Sequence, residues 1–204
     1  VRSNVVLQRF ERMSQPSVDP AKLVSLDPLT GALTRPGVLS LLQALAANAQ
    51  RTGNVFCLCL ADIDRLRTIN DGRGVTAGDA VIAGLAARLR GVLEQPAWHR
   101  SEYTLGRYDG GALLVIARPC SVHQGETLAE ALRFGVAESP LADRQSATVS
   151  IGVAQHRIGE SIDSLLARTE RTMYLAKQFG RDRVEVSPTP PSRVERAKVV
   201  GIRD

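Results

Sequence analysis

The chain has 204 residues, 44% apolar and 23% charged, which suits one domain with short extensions and excludes wholesale disorder. No apolar run approaches the ~20 residues that cross a bilayer, and three cysteines, an odd number, exclude a disulfide scaffold. A net charge of +5 suits an anionic ligand, whereas one Trp, three Tyr, four Phe and no basic stripe interleaved with them argue against nucleic acid. Of the basic residues, three are lysines (Lys22, Lys177, Lys198) and 23 are arginines. The arginines are scattered, so coding bias in a GC-rich genome explains them better than phosphate recognition by guanidinium forks does.

In chain order, residues 1–25 begin with a short helical pattern (Val5, Val6, Leu7, Phe10, Met13) that Pro16 and Pro20 interrupt. This reads as a connector from an upstream module, and the start at Val1, with no methionine or signal peptide, reads as a fragment of a longer protein. Pro36 suits the first turn of a helix whose apolar stripe (Leu39, Leu42, Leu45, Ala46) runs to about Gln50. The continuous apolar run Val55–Leu60 predicts a buried strand ending in Ala61-Asp62-Ile63-Asp64. From Gly78 to Glu94, Val81, Ile82, Leu85, Leu89 and Val92 recur at helical spacing. Two strands, Tyr103–Tyr108 and Ala112–Ala117, flank the hairpin signal Asp109-Gly110-Gly111, a turn that needs positive φ. A helix fits Gly125–Glu138 and a strand Ser146–Gln155. A third helix runs from Ser161 to Phe179 and stops at Gly180, before a last strand, Arg183–Val186. Pro188-Thr189-Pro190-Pro191 opens a Pro-rich tail, 188–204, that is expected to be mobile.

The order strand, helix, strand, strand, helix, strand predicts an α/β (α+β) fold with a ferredoxin-like βαββαβ core, its helices covering one face of an antiparallel-rich sheet. Many unrelated functions use this arrangement, so function must come from the residues.

Asp62 and Asp64, at period two, point to the same side at the end of the first strand, a common place to hold magnesium and equally an ordinary solvated strand end or helix cap. Asn70 and Asp79 supply an amide and a carboxylate that can match a guanine edge; Asp79 is equally placed to cap its helix. Lys177 and Arg181, four apart at the end of the third helix, can hold a triphosphate or simply complement the helix dipole. Cys57 and Cys59 read as core packing. His99, His123 and His156 lack zinc-ligand spacing.

Six blocks in order resemble the GGDEF family of bacterial diguanylate cyclase domains. They are the entry motif Asp27-Pro28-Leu29-Thr30-Gly31-Ala32-Leu33-Thr34-Arg35, with Thr34 in place of a usual Asn; Asp62-Ile63-Asp64; Asn70-Asp71 with Gly78-Asp79; Arg107-Tyr108 and its hairpin; Thr148–Ala154; and Met173–Lys177 with Gly180-Arg181. The likeness covers about residues 25–187, which sets the domain at 26–187. It implies a sheet like that of nucleotidyl cyclase palm domains and condensation of two GTP, one per domain, into cyclic di-GMP. It also implies Asp62 as a metal ligand, Asn70 and Asp79 as guanine readers, and Lys177 and Arg181 as phosphate ligands.

The signature itself is absent. Where the family has Gly-Gly-Asp/Glu-Glu-Phe, this chain has Asp109-Gly110-Gly111-Ala112-Leu113. The second metal carboxylate becomes Gly111, so the implied Mg2+ site is incomplete and no catalytic residue is expected there. Phosphoryl transfer needs cations to neutralise the triphosphate and activate the attacking hydroxyl, and losing one key electrostatic group costs ~3 kcal/mol or more. In the family's product-inhibition pattern, Arg-x-x-Asp, this chain keeps Arg100 and has Tyr103 in place of the acid, so Arg100 is a remnant of that site or an ordinary surface arginine.

The expectation is a degenerate, inactive domain that binds GTP or cyclic di-GMP as a regulatory module. The alternatives are a weak cyclase drawing on Asp62, Asp64 and Asp109, and a protein-interaction domain without nucleotide. Expected partners are the guanine nucleotide, an upstream sensor or partner protein and a second copy of the domain. The implied setting is the cytoplasmic side, with membrane attachment of the full-length chain left open.

Overall fold

The apolar run from Val55 becomes β1 (Cys57–Ile63), a strand buried on both faces. The computed structural model describes residues 25–142 and 145–188; the predicted connector up to residue 24 and the tail from residue 189 lie outside the described residues. Before β1 comes α1 (Arg35–Thr52), with Pro36 in its first turn and Gly53 closing it in the left-handed conformation. After β1 follow α2 (Leu66–Arg73) and α3 (Val75–Leu93), then a short 3-10 turn (Pro96–Trp98), β2 (Glu102–Asp109) and β3 (Ala112–Arg118). The chain continues through α4 (Val122–Ala137), β4 (Val149–Gln155), α5 (Ile162–Gln178) and β5 (Val184–Val186).

The sheet order is β2-β3-β1-β4-β5. β1 lies between antiparallel β3 and β4, and β5 adds in parallel at the edge of β4. The βαββαβ core is therefore as expected, but helices cover both faces of the sheet rather than one. Cys57, Cys59, Ala61 and Ile63 face α3 and α4 through Val81, Leu85, Leu89, Leu128 and Leu132. Leu58 and Leu60 face α1 and α5 through Val38, Leu42, Leu45, Leu165 and Leu166. The reason lies in β1 itself: it is apolar at every position from Cys57 to Ala61, and an uncovered face would leave large side chains in water at about 1.5–3 kcal/mol each. Cys57 and Cys59 are buried free thiols, in keeping with packing.

Two helix starts are locally encoded. Ser121 and Gln124 form a reciprocal capping box at α4, and Ser161 accepts from Ser164 N–H at α5. Among the described residues no helix is long and apolar enough to cross a membrane.

Candidate nucleotide site

Asp62, in β1, and Asp64, just past its end, have different surroundings. The Asp64 carboxylate is buried and saturated. It accepts from Thr148 Oγ1 (2.7 Å), Ser150 Oγ (2.7 Å) and the Asp182 backbone N–H (3.0 Å). Its oxygens tie β1 to β4 and to the turn after α5, so it has little left to offer a cation. Asp62, opposite Ala112 of β3 and Ser150 of β4, instead meets Lys177 of α5: Nζ lies 2.7 Å from Oδ2. The same ammonium points at the Ile63 carbonyl at 3.5 Å. Both side chains are about three-quarters buried, with 25% of Asp62 and 23% of Lys177 exposed.

The hairpin faces this pair. Gly110 and Gly111 form the two-residue loop, with Gly110 at φ +37°, and Asp109 pairs with Ala112. Gly111 is buried, and a Cβ there would stand 3.7 Å from Asp62 Oδ1 and 2.5 Å from Leu66 Cδ2. Position 111 is thus the hairpin position that addresses Asp62, and the Leu66 side chain takes the space a carboxylate would need. Asp109 is exposed on β2, with β3 between it and β1, roughly 10 Å from Asp62 at ordinary strand spacing.

Arg107 fixes the hairpin. Its Nε and Nη2 donate to Gly110 O at 3.2 and 3.1 Å, and its Nη1 donates to both Asp27 oxygens at 3.2 and 3.0 Å. Burial alone would raise the Asp27 pKa, but the hydrogen bonds from the Thr30 hydroxyl and N–H and from Arg107 outweigh it and hold the carboxyl below its ordinary value. The entry motif therefore serves as a brace. Beside it, the Tyr108 hydroxyl donates to Glu170 at 2.5 Å, and burial, with that carboxylate second, pushes its pKa up to about 12.

At the other end, the sequence does not reveal α2 because Asp71, Gly72 and Gly74 look like loop residues. Leu66 and Ile69 nevertheless pack on the core and make one helical turn worth forming. Arg65, at φ +57°, turns the chain into it. Gly74, at φ +83°, then breaks α2 from α3, folding Asn70 back against Gly78. A Cβ at position 78 would fall inside the Asn70 amide oxygen, so only glycine permits this approach. Asn70 Oδ1 is buried there with no hydrogen-bond partner. Asp79 follows at once, half-buried, inside α3 rather than before it. It is no cap, since the N-cap is Gly74. Asn70 thus packs against the glycine that immediately precedes Asp79.

Lys177 and Arg181 sit on different local backbone, one in α5 and one past its end. α5 ends at Gln178; Arg181 lies beyond it at φ +65°, exposed, held by its backbone N–H to Ala176 O at 3.0 Å. Lys177 serves Asp62 rather than only the helix dipole. Arg100 is remote from the hairpin. It precedes β2 and lines a cleft of about 490 Å3 with Leu45, Phe56 and Arg118, the length of β2, roughly 20 Å, from the turn. Tyr103 is half-buried against the α3–α4 side of the sheet.

Leu66 as the filler of the position facing Gly111, and Thr148 and Ser150 as partners of Asp64, were not anticipated from sequence. The alternation Thr148-Val149-Ser150 carried the signal for the second: polar residues on one face of a strand that runs beside β1. As a cation site the residues present do not fit. Among the atoms nearest a Cβ at position 111, Asp62 supplies the carboxylate and is already paired, and no group of three or more His, Cys, Asp or Glu suited to a metal occurs among the described residues.

Comparison with known proteins agrees with this architecture. Residues 24–183 match the family described as diguanylate cyclase, GGDEF domain. The diguanylate cyclase DgcP of Pseudomonas aeruginosa is 30% identical over 196 residues, 91% of this chain and 28% of that protein. DgcM of Escherichia coli K12 is 32% identical over 158 residues, 78% of this chain and 37% of that protein. The GGDEF domain of DgcB from Caulobacter crescentus, crystallised with c-di-GMP, superposes with a TM-score of 0.71 at 27% identity, covering 86% of this chain and 98% of that one. The chain belongs to the GGDEF diguanylate cyclase family. It spans only about a third of the length of these curated relatives.

Proposed function

We propose that this is a degenerate GGDEF domain that binds a guanine nucleotide, GTP or cyclic di-GMP, and serves cyclic di-GMP signalling as a regulatory module without cyclase activity. The observation that carries the reading is a contrast between two groups of residues. Asn70 packs on Gly78 with an unsatisfied buried oxygen, and the half-buried carboxylate Asp79 follows Gly78 in the chain. On the hairpin side, the position that faces Asp62 is Gly111, with no carboxylate. Asp79 can accept from the ring N–H and exocyclic amine of guanine, and Asn70 can address the rest of that edge. Arg181, exposed beyond α5, is free to meet a phosphate. An upstream sensor, a partner protein or a second copy of the domain would read the bound state. The weak-cyclase alternative loses support because Asp64 is saturated and Asp109 stands behind β3.

Two assays test this. Calorimetric titration with GTP, GDP, cyclic di-GMP and ATP is expected to show binding of guanine nucleotides over ATP, lost in Asp79→Ala. Radiolabelled GTP with magnesium or manganese is expected to give no cyclic di-GMP above a protein-free control. Turnover that Asp62→Ala abolishes would establish an active cyclase instead.

A further inference from the structure

The Asp62 carboxylate is already met by the protein's own charge. A divalent cation of magnesium size demands near-octahedral oxygen donors at 2.0–2.1 Å. The two oxygens of this chain that converge here are Asp62 Oδ2 and the Ile63 carbonyl, and the Lys177 ammonium stands before both, at 2.7 and 3.5 Å. The third direction, from the hairpin, carries no oxygen: Gly111 has no side chain and Leu66 fills the space before it. Asp62 and Lys177 together are neutral, so a cation arriving here would have to displace a fixed ammonium to gain one carboxylate.

We propose that this domain takes its guanine nucleotide as the metal-free anion, with Lys177 standing where a bridging cation would and Leu66 sealing the position beside it. The inference rests on the nucleotide-binding reading above and specifies the ligand of that same site: a free guanosine phosphate, not its magnesium complex. The phosphates would meet Lys177 and Arg181 as simple cations, so binding should weaken with salt. Magnesium should weaken it too, by drawing the free anion into a complex that this site does not take.

The test uses the full chain in two measurements. Affinities for GDP and GTP are compared in EDTA and in millimolar magnesium, where apparent binding is expected to weaken by about threefold or more, for GTP more than for GDP. Affinity that is unchanged or tighter with magnesium overturns the proposal. Absence of binding in both buffers removes the nucleotide reading itself, and the cation claim is then decided by the second measurement. Manganese is titrated into nucleotide-free protein and followed by electron paramagnetic resonance. No site sensitive to Asp62→Asn is expected; one that vanishes in Asp62→Asn overturns the proposal. The double variant Leu66→Ala with Gly111→Asp is sterically open, since Gly111 is not at positive φ. It should gain manganese affinity by about tenfold or more. A folded double variant, verified by circular dichroism, that gains none refutes the role given to Leu66 and Gly111.

Discussion

The two ends of the candidate site have been treated differently by the same fold. At the α2–α3 end, a glycine followed by Asp79 admits an amide against a helix, and the amide oxygen is buried without a hydrogen-bond partner. At the hairpin end, a glycine removes a carboxylate, a leucine fills the gap, and a lysine neutralises the aspartate that remains. Unsatisfied buried polarity costs free energy unless a ligand repays it, whereas an internal ion pair with an apolar neighbour is already at rest. The difference is between a buried polar oxygen left unpaired and a carboxylate already paired within the chain.

The largest expected effect divides the two aspartates at the end of β1, Asp62 within it and Asp64 just past it. Asp64→Ala strands two hydroxyls and a backbone N–H, so it should lower stability by roughly 3 kcal/mol or more, read as a fall in Tm on the order of 10 °C. Asp62→Ala leaves only a partly exposed lysine and should cost about 1 kcal/mol or less in the same melt. Equal losses would erase the distinction between a structural and a pocket carboxylate. Next, Gly78→Ala should expel the Asn70 amide and weaken GTP binding by about tenfold or more while Tm moves only a few degrees. Unchanged affinity would detach Asn70 from the base. Asp79→Asn should narrow the preference for GTP over ATP by about tenfold, because an amide can present only one acceptor where the carboxylate offers two.

The smallest effect concerns the brace behind the hairpin. Asp27 and Glu160 both titrate below their ordinary values. In each, burial opposes the shift and hydrogen bonds outweigh it, from Thr30 and Arg107 at Asp27 and from Arg168 and Arg157 at Glu160. Their contribution is therefore complete above the unfolded carboxylate range, near pH 4–4.5, and is lost as pH falls through the lower folded values. Asp27→Asn should flatten the acid limb of a Tm-against-pH profile, leaving neutral-pH nucleotide affinity within about twofold. A profile with an unchanged acid limb would refute the brace.

Much of the fold was legible because it is written in local periodicity. The run from Val55 to Leu60 demanded burial, the Asp-Gly-Gly turn located the hairpin, and the apolar stripes of α1 and α3 emerged at helical spacing. α2 was not legible. Its eight residues carry Asp71, Gly72 and Arg73, and only contact with the core through Leu66 and Ile69 makes it a helix. The covering of both sheet faces was half-legible, since a strand apolar at successive positions implies two covered sides.

By itself the sequence determined the chemistry present at each end: which side chains carry charge or an amide, and that position 111 has no side chain at all. Only the tertiary structure decided which of those groups meet. Asn70 reaches Gly78 through a left-handed break at Gly74, Lys177 crosses from α5 to Asp62, and Leu66 closes on the hairpin. The physical reason is that ion pairs and steric filling depend on distances of a few ångströms between segments far apart in the chain, and these are set by how the helices pack on the sheet, which no local pattern encodes.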